Sequence, residues 1–63
     1  MNEIIRLSEE INKRGYTIYQ DLHSMDGQRI YKLIIRKEGQ YITVSYATSL
    51  EEALRNALIR IIW

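Results

Sequence analysis

The chain has 63 residues, with nine Lys or Arg against eight Asp or Glu and no cysteine. Neither disulfides nor a Cys/His zinc cluster is on offer, which removes the usual staples of a small fold. A 46% hydrophobic share argues against disorder, and no apolar run of about 18 residues or basic-then-apolar leader suggests a membrane span or a secretory signal.

Asn2 to Arg14 carries Ile4, Leu7 and Ile11 at a spacing that sets all three on one helical face. Asn2 can cap the free amides, and Glu3 suits the first turn. Lys13 and Arg14 face the negative end of the dipole, and Gly15 supplies a left-handed stop. Glu9–Lys13 and Glu10–Arg14 have the favourable i,i+4 order.

Three strand-like runs follow. Tyr16 to Leu22 alternates, with Tyr16, Ile18 and Leu22 on one side. His23 to Gln28 reads as a turn region around Asp26-Gly27. Arg29 to Lys37 and Gln40 to Ala47 form the second and third strands, joined by Glu38-Gly39. A two-residue loop there sets Lys37 opposite Gln40. Regular pairing then places Ile35 against Ile42, Leu33 against Val44 and Tyr31 against Tyr46, all six on one apolar face.

The last segment opens with Ser49-Leu50-Glu51-Glu52, a capping-box pattern. Leu50, Ala53, Leu54, Ala57, Leu58 and Ile61 recur at helical spacing, and the alanines allow close approach to a sheet. The expected fold is a single α+β domain of two layers, α-β-β-β-α. Its three-stranded antiparallel sheet carries both helices on one face.

The other sheet face is then bare. It would carry Thr17, Tyr19 and Asp21, then Ile30, Lys32, Ile34 and Arg36, then Tyr41, Thr43 and Ser45. Aromatic and basic residues around an aliphatic centre have the composition of a protein interface. Tyr19, Lys32, Ile34, Arg36 and Tyr41 are therefore the candidate partner-binding residues. The competing reading is that Tyr, Ile and Thr favour strands wherever they lie. On the last helix, Ile59 and Trp63 fall away from the apolar stripe at about 100° per residue, with Ile62 between the two sides. These three are candidates for self-association or for anchoring another protein; fraying or folding back of Trp63 is the alternative.

Little here offers catalysis. His23 and Ser24 are adjacent in an extended run and point apart, so they make no nucleophile–base pair. Asp21, His23 and Asp26 form at most a weak metal site, and turn formation accounts for them. Glu51 and Glu52 serve a helix start, and the three isolated glycines make no phosphate loop. No catalytic residue, metal ligand or cofactor is expected.

Helix–three strands–helix is also the order of the double-stranded-RNA-binding domain, which the chain resembles in topology. That family sets a lysine pair at the start of its last helix to meet phosphates. Here the place reads Ser49-Leu50-Glu51-Glu52-Ala53, and Lys32, Arg36 and Lys37 form the densest basic patch at a net charge of +1. Nucleic acid is the less favoured partner.

Ile11-Asn12-Lys13 leading into Tyr16-Thr17, then Leu33-Ile34-Ile35-Arg36, Gly39 with Tyr41-Ile42, and a Ser49-to-Trp63 helix ending in Trp carry a further resemblance. In these pieces the chain is similar to small bacteriophage helix–three-strand–helix proteins, most like a compact anti-CRISPR family that inhibits a Cas nuclease. Ser49 to Leu58 is also similar to the last helix of uncharacterised prophage sandwich domains. The resemblance implies a small non-enzymatic phage inhibitor, cytoplasmic, that occupies a surface on a host defence protein. The family is strongly acidic and mimics DNA, whereas this chain carries Arg36 and Lys37 on its middle strand, so mimicry is not carried over. A structural homo-oligomer is the remaining alternative, since so small a core calls for assembly with itself or a partner.

Overall fold

The computed structural model describes residues 2–63. Helix α1 (Glu3–Lys13) is followed by strands β1 (Thr17–Met25), β2 (Gln28–Lys37) and β3 (Gln40–Ala47), then helix α2 (Leu50–Ile62). The strands form one antiparallel sheet in the order β1-β2-β3. Both helices pack on one face of it, giving the α+β, α-β-β-β-α arrangement expected from the sequence.

Local signals explain the elements. The Asn2 side chain accepts from the Ile4 amide at 2.8 Å, capping α1. Gly15 closes it at φ +93°. Ser49 caps α2 by accepting from the Glu52 amide at 3.2 Å. One expected ion pair forms differently: Lys13 reaches Glu10 at 2.8 Å, and Arg14 joins the same carboxylate at 3.5 Å. Competition for Glu10 leaves Glu9 without Lys13.

Both hairpins turn on two residues with positive φ, Asp26-Gly27 at 51° and 79° and Glu38-Gly39 at 53° and 79°. These are turns whose twist matches that of the strands they join. The first hairpin is longer than the sequence suggested. His23, Ser24 and Met25 are not loop but strand, paired with Ile30, Arg29 and Gln28. A two-residue turn needs no lead-in, so β1 runs straight into it.

The core consists of Leu7 and Ile11 from α1, Leu33 and Ile35 from β2, and Ala53, Leu54 and Ala57 from α2. Ile4, Tyr16, Ile18, Tyr31, Leu50, Leu58 and Ile61 are partly buried against it. Leu22 lies on the helix-facing side, beside Tyr31, but is 51% exposed. The helices do not reach that end of the hairpin.

The third strand corrects the expected pairing. Lys37 does face Gln40, but the register shifts between Ile35 and Arg36. Arg36 faces Tyr41 and Ile35 faces Thr43, so Ile42 is the extra residue of a β-bulge. From there on, Ser45 lies opposite Leu33, Ala47 opposite Tyr31, Val44 opposite Ile34 and Tyr46 opposite Lys32. Ile42, Val44 and Tyr46 are therefore not the core face of β3; Thr43, Ser45 and Ala47 are. The physical reason lies in α2, which packs on β3 through small residues. Ser45 is fully buried and its hydroxyl donates to the Ala53 carbonyl at 2.8 Å. A Val or Tyr at that contact would hold the helix off the sheet.

Candidate protein-binding face

The bulge builds the face opposite the helices. Three cross-strand rows run over it: Thr17–Arg36–Tyr41, Tyr19–Ile34–Val44 and Asp21–Lys32–Tyr46, with His23–Ile30 beyond them. All five residues proposed from the sequence, Tyr19, Lys32, Ile34, Arg36 and Tyr41, lie on it as immediate neighbours. Ile34 is half-buried between Tyr19 and Val44, while Tyr19, Tyr41 and Tyr46 are exposed. Val44 and Tyr46 join the patch, and Thr43 and Ser45, expected here, leave it. Sequence reasoning missed the exchange because Ile42, Val44 and Tyr46 alternate as cleanly as a core strand should. The available signal was the matched run of small residues, Thr43, Ser45 and Ala47 against Ala53 and Ala57.

The exchange makes the face more apolar, with two cations set into it. Lys32 Nζ lies 5.9 Å from the centre of the Tyr46 ring, and the Arg36 guanidinium 5.8 Å from that of Tyr19. These ring contacts hold the charges along the face instead of letting them swing into water. Arg36 also donates to the Gly39 carbonyl at 2.5 Å, which fixes its position at the hairpin end. At the sheet's helix side, Lys37 Nζ sits 5.0 Å from the Tyr16 ring centre.

Ion pairing divides the molecule. In the helix layer, Glu3 binds Arg6 at 2.6 Å and Arg55 at 3.7 Å, and Glu51 binds Arg55 at 2.8 Å. Hydrogen bonding from Arg6 holds the Glu3 carboxyl below its usual range, and Lys13 does the same for Glu10. Among the described residues, Lys32 and Arg36 have no carboxylate within 4.0 Å. The acid on their face, Asp21, is already engaged: its carboxylate accepts from the Leu22 amide at 2.9 Å and lies 3.3 Å from His23 Nε2. Ser24 lies on the opposite side of β1, away from His23.

Among the described residues no pocket is present and no group of three or more His, Asp or Glu side chains is placed to hold a metal ion. None of their helices is long and apolar enough to cross a membrane. Ile59, Ile62 and Trp63 are exposed at the end of α2, Trp63 at 94%. They are remote in character from the open face, with no charged residue among them but Arg60, whose guanidinium donates to the Val44 carbonyl. Comparison with protein-family models, with curated proteins and with solved structures finds no match to the chain.

Proposed function

We propose that the protein is a small non-enzymatic inhibitor that binds another protein through its open sheet face. The observation that carries the reading is one contiguous patch. Tyr19, Ile34, Val44 and Tyr46 form its apolar centre, and Lys32 and Arg36 stand in it without carboxylate partners among the described residues. Tyrosine and arginine around a half-buried aliphatic residue are the residue types that dominate binding energy at protein interfaces. Cations already held against rings lose little freedom on docking, so carboxylates on a partner would gain the full pairing. The partner's surface is therefore apolar at its centre with acidic groups beside it.

The resemblance to phage anti-CRISPR proteins supplies the biological setting: a phage-encoded chain in the host cytoplasm, acting on a defence nuclease or a related host protein. The face argues for occupying such a surface by direct contact rather than by imitating DNA, since its unpaired charges are positive.

The test is affinity capture from bacterial lysate, with and without nuclease, using the native chain and an Ile34→Glu bait in parallel. One protein retained after nuclease treatment and lost with Ile34→Glu is the expected result. The glutamate removes a central contact, a loss of about 2 kcal/mol or more and hence roughly thirtyfold in affinity. Retention that disappears with nuclease would reject the reading in favour of nucleic acid held by Lys32, Arg36 and Lys37.

A further inference from the structure

The two edges of the sheet differ. The outer edge of β3 is obstructed, because the Arg60 guanidinium reaches over it to the Val44 carbonyl and the bulge at Ile42 breaks its regularity. Both are recognised ways of blunting a strand edge. β1 carries neither a covering side chain from another element nor a bulge; its Leu22 amide donates to the neighbouring Asp21 carboxylate at 2.9 Å, a local bond that pairing with a second strand would replace. It is nine residues long, regular along its whole pairing with β2, and exposed at every position but Ile18. Tyr19, Leu22 and Met25, three large apolar side chains, stand at least half exposed along it.

We propose that β1 is a dimerisation edge, pairing antiparallel with β1 of a second copy so that Leu22 faces Leu22. Register selects this pairing. A two-fold axis perpendicular to the sheet keeps each copy's open face on the same side, so opposed residues must both belong to that face or both to the other. Allowed registers therefore centre on a residue. With Leu22 at the centre, Asp21 meets His23 of the second copy, Gln20 meets Ser24, and Tyr19 meets Met25. Every exposed apolar side chain of the strand finds an apolar partner, and Asp21, 3.3 Å from His23 Nε2 of its own chain, exchanges that contact for His23 of the second copy. Centring on Asp21 instead opposes two carboxylates. Centring on His23 opposes two imidazoles and sets Asp21 against Met25. Centring on Gln20 sets Asp21 against Tyr19 and Met25 against Gly15. Cross-strand pairs decide strand association in just these terms, with like charges opposed costing stability and apolar or opposite-charge pairs adding to it.

The product is one continuous six-stranded sheet, β3-β2-β1-β1-β2-β3, with four helices on one side and two open faces joined on the other. It covers Leu22, which the chain's own helices leave bare, and it gives a small core the assembly it lacks. The proposal does not depend on what the open face binds.

Sedimentation equilibrium of the purified chain tests it. The expected species has twice the 7.5 kDa mass of the chain, with a dissociation constant raised at least tenfold by Leu22→Lys and unchanged by Trp63→Ala. His23→Asp, which opposes carboxylates, should weaken the dimer comparably, and adding Asp21→His to it should restore association. Amide exchange on the unmodified chain needs no variant to fold: β1 amides should gain protection with concentration while β3 amides do not. A chain that stays monomeric throughout, or a dimer that survives Leu22→Lys and is lost with Trp63→Ala, would overturn the proposal.

Discussion

The Ser45 hydroxyl donates to the Ala53 carbonyl across the interface between β3 and α2, at 2.8 Å and fully buried. That contact settles which way β3 faces. With Ser45 under the helix, its neighbours Val44 and Tyr46 must point to the opposite side, where they complete the patch around Ile34. The make-up of the open face is thus a consequence of how closely α2 approaches the sheet.

Ser45→Ala should lower stability by about 1 kcal/mol, the net worth of one hydrogen bond, because it leaves the close packing intact. Ser45→Leu should cost more, about 1–3 kcal/mol, because the added bulk must be fitted between β3 and Ala53 and Ala57. Urea unfolding of both variants checks the order. A Leu variant as stable as the native chain would show that the contact has room to spare.

Deletion of Ile42 should be tolerated. The bulge gives β3 one residue more than β2 needs, so removing it leaves Tyr41 opposite Arg36 and Thr43 opposite Ile35 in a regular ladder. Deleting Val44 has the opposite effect, since it reverses the alternation in the middle of the strand and turns residues on one side of the gap to the wrong face. Dispersion in a proton–nitrogen correlation spectrum distinguishes the two: native-like for the first deletion, collapsed for the second.

Glu38 occupies the left-handed region at φ 53° in the second hairpin. A side chain with a Cβ is strained there, and asparagine tolerates that conformation better. Glu38→Asn should therefore stabilise the chain by up to about 1 kcal/mol, read as a higher urea midpoint at constant slope. Gly39→Ala, at φ 79°, should destabilise by a similar amount.

Acid weakens the helix layer through Glu3 and Glu10. Hydrogen bonds from Arg6 and Lys13, followed by nearby positive charge, hold both carboxyls below the ordinary value of 4.5. As pH falls, the unfolded chain takes up these protons before the folded one. The stabilisation is complete above the ordinary value and disappears as pH drops through the lowered folded values. Both pairs are exposed, so the effect is small. The double variant Glu3→Gln/Glu10→Gln should lose less melting temperature than the native chain between about pH 6 and about pH 3.

Much of the architecture is legible in the sequence because its signals are local. Asn2, Gly15 and Ser49 mark helix ends through hydrogen bonds and dihedral angles within a few residues, and Glu38-Gly39 joins its strands at the expected positions. The candidate residues on β1 and β2 were legible for the same reason, since the hairpin at Asp26-Gly27 holds both strands in regular alternation. What was not legible is the face of β3. Ile42, Val44 and Tyr46 alternate like a buried strand, and local periodicity does not record how near the covering helix comes. Only the occurrence of small residues both on β3, at Ser45 and Ala47, and on α2, at Ala53 and Ala57, carries that information.

Cross-strand nuclear Overhauser effects in the native chain report directly which way β3 faces. Contacts are expected between Ile34 and Val44, between Lys32 and the Tyr46 ring, and between the Ser45 methylene and Ala53. Contacts joining Leu33 to Val44 and Tyr31 to Tyr46 would contradict this arrangement, since they would return Val44 and Tyr46 to the helix side and dismantle the proposed binding face.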